Sequence, residues 1–108
     1  MQIELLYFDD CPNWRSTLND LKSILNAQGL EEAVSLIRVP DNESAQVLRF
    51  PGSPTVRING RDIEADAPES GFNLQCRIYW SEGRASGTPS NELLTHAISS
   101  ASNDGRAT

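Results

Sequence analysis

Asp9-Asp10-Cys11-Pro12-Asn13-Trp14 and Gly52-Ser53-Pro54-Thr55-Val56 are the two stretches that decide the fold of this 108-residue chain. The first follows an apolar run, Ile3 to Phe8, and precedes a helical pattern. The second precedes another apolar run, and its Pro54 stands 43 positions after Cys11. A cysteine at a strand-to-helix turn receives the positive end of the helix dipole, which favours thiolate over thiol. A proline between a turn and a strand is a common place for a cis peptide bond. In the run before Cys11, Ile3, Leu5 and Tyr7 are apolar on one parity, and Leu6 and Phe8 on the other. A strand apolar on both faces belongs in the middle of a sheet covered by helices.

Outward from these stretches the elements alternate. Pro12 suits a first helical turn, where a missing N–H costs nothing. Trp14, Leu18, Leu21 and Leu25 recur at helical spacing, and Gly29 is placed to end the helix. Val34 to Val39 reads as a second strand. Asp41 is placed to cap a short helix with Ala45 and Leu48 on its inner face. Thr55 to Ile58 reads as a third strand, Asn59-Gly60 as a two-residue hairpin turn, and Arg61 to Glu64 as a fourth, antiparallel strand. Thr88 as cap and Pro89 as first residue open a last helix carrying Leu93, Leu94, Ala97, Ile98 and Ala101. Between the fourth strand and that helix lies Ala65 to Gly87. Its run Leu74 to Trp80 places Leu74, Cys76, Ile78 and Trp80 on one face by strand alternation. The run is read as an added strand or hairpin beside the fourth strand, with Cys76 buried on its apolar face. Residues 1–101 form one domain in this reading, and 102–108 a disordered polar tail.

Cys11-Pro12-x-Trp14 and Gly52-x-Pro54-Thr55, followed by a strand and Asn59-Gly60, resemble the active face of the thioredoxin-like (thioredoxin/glutaredoxin-like) superfamily over roughly residues 1 to 63. The resemblance implies an α/β fold with a mixed central sheet of about four strands flanked by helices, here with an extra strand or hairpin before the last helix. It implies a small thiol-disulfide oxidoreductase or thiol-reactive protein that uses Cys11 as its single active-site cysteine and nucleophile. With no second cysteine in the motif, Cys11 and Cys76 are expected to stay unpaired and an outside thiol to complete the cycle. It also implies that Ser53, Pro54 and Thr55 form a substrate-docking loop, with Pro12 and Trp14 beside the thiol. In that family the backbone before the cis-proline pairs with an extended substrate as an added strand would. Trp14 stands where a Cys-x-x-Cys motif has its second cysteine, the one that resolves a mixed disulfide. Core packing with Leu18 and a wall of the site are both open for it. Cys76 is either a resolving cysteine supplied from elsewhere or a buried structural one. Asp9 and Asp10 disfavour a second negative charge on Cys11 and are also ordinary helix-capping residues. They stand where glutaredoxins carry a basic residue, and the Gly-Gly-Asp segment of that family is absent after the fourth strand, so glutathione binding is not implied.

The remaining observations limit the partners. A formal net charge of −6 argues against nucleic acid and anionic membrane, since phosphate contacts need Lys and Arg. The longest apolar stretch is far too short to span a bilayer. Met1-Gln2-Ile3-Glu4 has no signal-peptide character, so a cytoplasmic location is expected. His96 stands alone, and neither a metal nor a cofactor is expected. The expected substrate is a protein or small-thiol disulfide. The alternative is a non-enzymatic binding module of the same fold that has lost redox cycling.

Overall fold

The computed structural model describes residues 1–106, with side chains described through Ser102. The order is β1 (Ile3–Tyr7), α1 (Trp14–Ala27), β2 (Val34–Arg38), α2 (Asn42–Val47), β3 (Thr55–Ile58), β4 (Arg61–Asp62), β5 (Tyr79–Ser81), β6 (Arg84–Ser86) and α3 (Asn91–Arg106). The main sheet is mixed and has the order β2-β1-β3-β4. β1 runs parallel to β2 and antiparallel to β3, and β3 runs antiparallel to β4. β1 is therefore central, as its two apolar faces require.

Those two faces feed two cores. Ile3 and Leu5 pack with Leu21 and Leu25 of α1, Val56 and Ile58 of β3, and Leu94 and Ile98 of α3. Leu6, on the opposite parity, packs with Val39, Ala45 of α2 and Phe50. Each fully buried Leu, Ile or Phe contributes about 1.5–3 kcal/mol by leaving water, so the period-2 and period-3.6 patterns together orient β1, β3 and the three helices around the two cores.

Turn chemistry sets the boundaries. α1 ends in a Schellman arrangement: Gly29, at φ 68°, donates to Asn26, and Leu30 donates to the Leu25 carbonyl. The Asp41 carboxylate accepts the Ser44 N–H at 2.7 Å and so caps α2. That bond holds the Asp41 carboxyl below its ordinary range. Asn59 and Gly60 both have positive φ, which the tight β3–β4 hairpin requires.

Several boundaries differ from the sequence reading. α1 starts at Trp14, after Asn13, so Pro12 precedes the helix. Asp9 pairs with Arg38 at 2.7 Å rather than capping α1. α3 starts two residues later than its Thr-Pro signal, because Ser90 accepts the Leu93 N–H and acts as the cap. The helix continues beyond residue 101 to Arg106, and residues 107 and 108 of the expected tail lie outside the described residues. The added segment before α3 does contain a hairpin, but β5 and β6 form a sheet of their own and do not extend the main sheet beside β4. No helix among the described residues is long and apolar enough to cross a membrane.

Candidate functional site

The two motifs meet in space. The chain leaves β1, turns with Cys11 N–H donating to the Phe8 carbonyl, and enters α1. The loop before β3 comes from the other side of the sheet, with a cis Ser53–Pro54 bond as its reading expects. At the junction the Cys11 thiol donates to the Ser53 carbonyl oxygen at 3.5 Å. Cys11 and Ser53 are both buried, at 2 % and 0 % exposure.

A third segment, Leu74 to Tyr79, closes over the same loop. The Ser53 N–H donates to Gln75 O at 2.8 Å, and the Arg77 N–H donates to Ser53 O at 3.0 Å. The result is a parallel bridge that sets Cys76 opposite Ser53. Side chains complete the clamp. Gln75 Nε2 donates to Pro51 O, the Thr55 hydroxyl to Gly52 O, and the Tyr79 hydroxyl to Pro54 O at 2.6 Å. Every carbonyl from Pro51 to Pro54 thus has a partner supplied from within the chain. Gly52, at φ 141°, lies directly beneath Arg77, where an added Cβ would sit 3.0 Å from the Arg77 N and Cβ.

Arg77 is the anchor of this segment. Its guanidinium grips both Asp62 oxygens, at 2.6 and 2.9 Å, and Glu64 at 2.7 Å, and it also reaches the Thr55 hydroxyl. It lies over the Tyr79 ring at 4.6 Å. Burial alone would lower its proton affinity, but the hydrogen bonds to Asp62 and Glu64 and the surrounding charge outweigh burial and raise it. Burial pushes the Tyr79 hydroxyl well above the ordinary tyrosine range, against the opposing field of Arg77.

This arrangement corrects the reading of the run from Leu74 to Trp80. Ile78 and Trp80 are exposed and Cys76 faces solvent, while Arg77 and Tyr79 face inward. The alternation is real but its phase is inverted. Two carboxylates and a carbonyl reward burial of the polar parity more than exposure of Ile78 and Trp80 costs. Cys76, expected to be buried, is thus the exposed thiol, and Cys11 is the buried one. Leu74 alone of its parity packs inward, against the second core.

The other expected site residues divide clearly. Pro54 and Thr55 are buried in the loop, and Thr55 holds Gly52 and Arg77 in place. Pro12 is exposed. Trp14 stacks on Tyr7 with ring centroids 4.2 Å apart and packs at the edge of the first core. The residues that the sequence reading missed are Arg77, Tyr79, Asp62, Glu64 and Gln75. A charged residue inside an apolar run, downstream of two alternate carboxylates, was the signal available for them.

Two cavities lie away from this junction. One of about 490 Å³ is lined by Arg49, Arg57, Arg61 and Phe72 among others, and another of similar size by Asp62, Ile63 and His96 among others. Among the described residues no group of three His, Cys, Asp or Glu side chains is placed to hold a metal ion. The chain matches no family model, no curated protein and no solved structure.

The buried Tyr79 hydroxyl has a measurable consequence. Tyr79→Phe leaves the Pro54 carbonyl without its partner and is expected to cost about 1–2 kcal/mol at neutral pH. A raised folded-state pKa adds stability that is complete below the unfolded value, about 10 for tyrosine, and is lost as pH rises above it. The stability gap between wild type and Tyr79→Phe is therefore expected to hold at neutral pH and to shrink above about pH 10. Urea midpoints measured across that range check it, and a gap that widens with pH would contradict it.

Proposed function

We propose that this protein is a thioredoxin-like thiol-disulfide oxidoreductase with Cys11 as its nucleophile. The observation that carries the reading is the hydrogen bond from the Cys11 thiol to Ser53 O, which joins the two motifs into one site. The thioredoxin-like assignment draws further support from the β-α-β-α-β-β-…-α order and from the sheet order β2-β1-β3-β4. Both cysteines are free thiols, which accords with a reducing, cytoplasmic setting.

In the reaction, the Cys11 thiolate attacks one sulfur of a disulfide. A mixed disulfide forms on Cys11, and the other half of the substrate leaves as a thiolate and takes up a proton. Because Cys11 is buried, attack requires an opening, and in this reading residues 74–77, bonded to the same Ser53 that accepts the Cys11 thiol, are the part that lifts. Once lifted, they free the Ser53 N–H and C=O, the groups an extended substrate would use. A small disulfide needs less of this opening than a protein strand does, so small disulfides are the favoured substrate class.

The test is the release of thiol from a small aromatic disulfide, followed in the presence of a reducing thiol. Wild type is expected to accelerate turnover, and Cys11→Ser to lose the acceleration. Equal rates for wild type and Cys11→Ser would remove Cys11 from the chemistry. The second reading, a binding module without redox turnover, is favoured by one observation: the docking edge is already filled by the chain's own segment. Absence of any modification of Cys11 by disulfides in the folded protein would select it.

A further inference from the structure

We infer that Cys76 is the resolving thiol of this site, delivered to Cys11 by the segment that covers it; the inference rests on the nucleophilic role of Cys11. A segment that pairs parallel with Ser53 through both its N–H and its C=O presents one residue directly opposite Ser53, flanked by the two that make the bonds. In this chain the flanking residues are Gln75 and Arg77, and the residue between them is Cys76. Cys76 is therefore the residue that this segment sets opposite Ser53, whose carbonyl accepts the Cys11 thiol. The Cys11 thiol and the Arg77 N–H share the Ser53 oxygen, so the Cys11 side chain and the backbone next to Cys76 meet at one carbonyl. The Ser53 hydroxyl at this junction is buried and has no partner, which leaves a donor free for a sulfur anion.

The reaction closes as follows. Cys11 attacks an outside disulfide while the segment is lifted, keeps one half as a mixed disulfide and releases the other as a thiol. When the segment returns, the Cys76 thiolate attacks the Cys11 sulfur. The bond from Cys11 to the outside group breaks, and that group leaves as a thiolate and takes a proton from water. One outside disulfide has become two thiols, and the two protein thiols have become one Cys11–Cys76 disulfide. An outside dithiol then reduces that bond. Cys76 is exposed in the closed fold, so its side chain turns toward Cys11 only as the segment reseats. A resolving cysteine at position 14 is not needed, and Trp14 is free to stack on Tyr7.

Oxidised glutathione is the probe, and intact mass with peptide mapping is the readout. Wild type is expected to become a monomer lighter by two hydrogen atoms, with Cys11 and Cys76 linked and no adduct retained. Cys76→Ser, a substitution at an exposed position, is expected to hold a glutathione adduct on Cys11 that dithiothreitol removes. A lasting adduct on either cysteine of wild type, or a disulfide-linked dimer through Cys76, would overturn the resolving role. An adduct-free Cys11 in Cys76→Ser would instead sink the nucleophilic role of Cys11, so the two failures are distinguishable.

Discussion

Arg77→Met is expected to destabilise the fold by about 3 kcal/mol and to unmask Cys11. The guanidinium is almost fully buried, and it neutralises Asp62 and Glu64 while bonding the Thr55 hydroxyl. Removing one partner of a buried ion pair typically costs about 3–5 kcal/mol, because the other charge is left without compensation. Asp62 and Glu64 retain 14 % and 27 % exposure, so water relieves part of that cost and the lower end applies. Methionine keeps much of the apolar stem, which makes lost charge rather than lost volume the main effect. The second consequence is local. With its anchor gone, the segment over Ser53 opens at a lower free energy, and each 1.4 kcal/mol of that decrease raises the open population about tenfold.

Alkylation of Cys11 in a Cys76→Ser background measures this opening directly. The Arg77→Met, Cys76→Ser protein is expected to react at least about tenfold faster than Cys76→Ser alone under native conditions. Ile98→Ala is the control. Ile98 is fully buried in the other core, and the change costs about 2–5 kcal/mol without touching the segment. If Ile98→Ala accelerates alkylation as much as Arg77→Met does, Cys11 is exposed only by global unfolding and the segment is no gate.

The contrast between these positions also shows what the sequence could reveal. The two cores were legible because each strand or helix declares its buried face through its own period. The Asn59-Gly60 turn, the Asp41 cap and the Gly29 helix end were legible because they depend on residues within one turn of chain. The meeting of Cys11 with Ser53 was legible because turn chemistry marked both ends. The covering segment was not legible in the same way. Whether Arg77 or Cys76 faces inward is decided by Asp62 and Glu64, 15 and 13 residues upstream, and by the Ser53 backbone. Counting apolar residues in Leu74 to Trp80 favours the wrong parity, because an arginine with two carboxylate partners is no longer a residue that must face water. The exposure of Cys76 follows from that inversion.

Gly52→Ala tests the same contact from the opposite side, and it too is expected to cost about 3 kcal/mol. Two causes combine. At φ 141° Gly52 holds a conformation that residues with a Cβ rarely adopt, at a cost of about 1–3 kcal/mol. The new methyl would also lie 3.0 Å from the Arg77 backbone nitrogen and 3.1 Å from its Cα. Backbone cannot rotate away as a side-chain tip can, so the overlap is relieved by moving the backbone around Arg77, and overpacking of this kind costs about 1–3 kcal/mol. The segment that must move is the one bonded to Ser53, so the Ser53 bridge bears the strain. Gly52→Ala is therefore expected to lower the urea midpoint and, in the Cys76→Ser background, to quicken alkylation of Cys11. It is also expected to slow closure of the Cys11–Cys76 disulfide relative to formation of the Cys11 adduct, because Cys76 returns to its register less often. A variant that is destabilised as expected but closes the disulfide at the wild-type rate would show that pairing of the two cysteines does not depend on the bridge to Ser53.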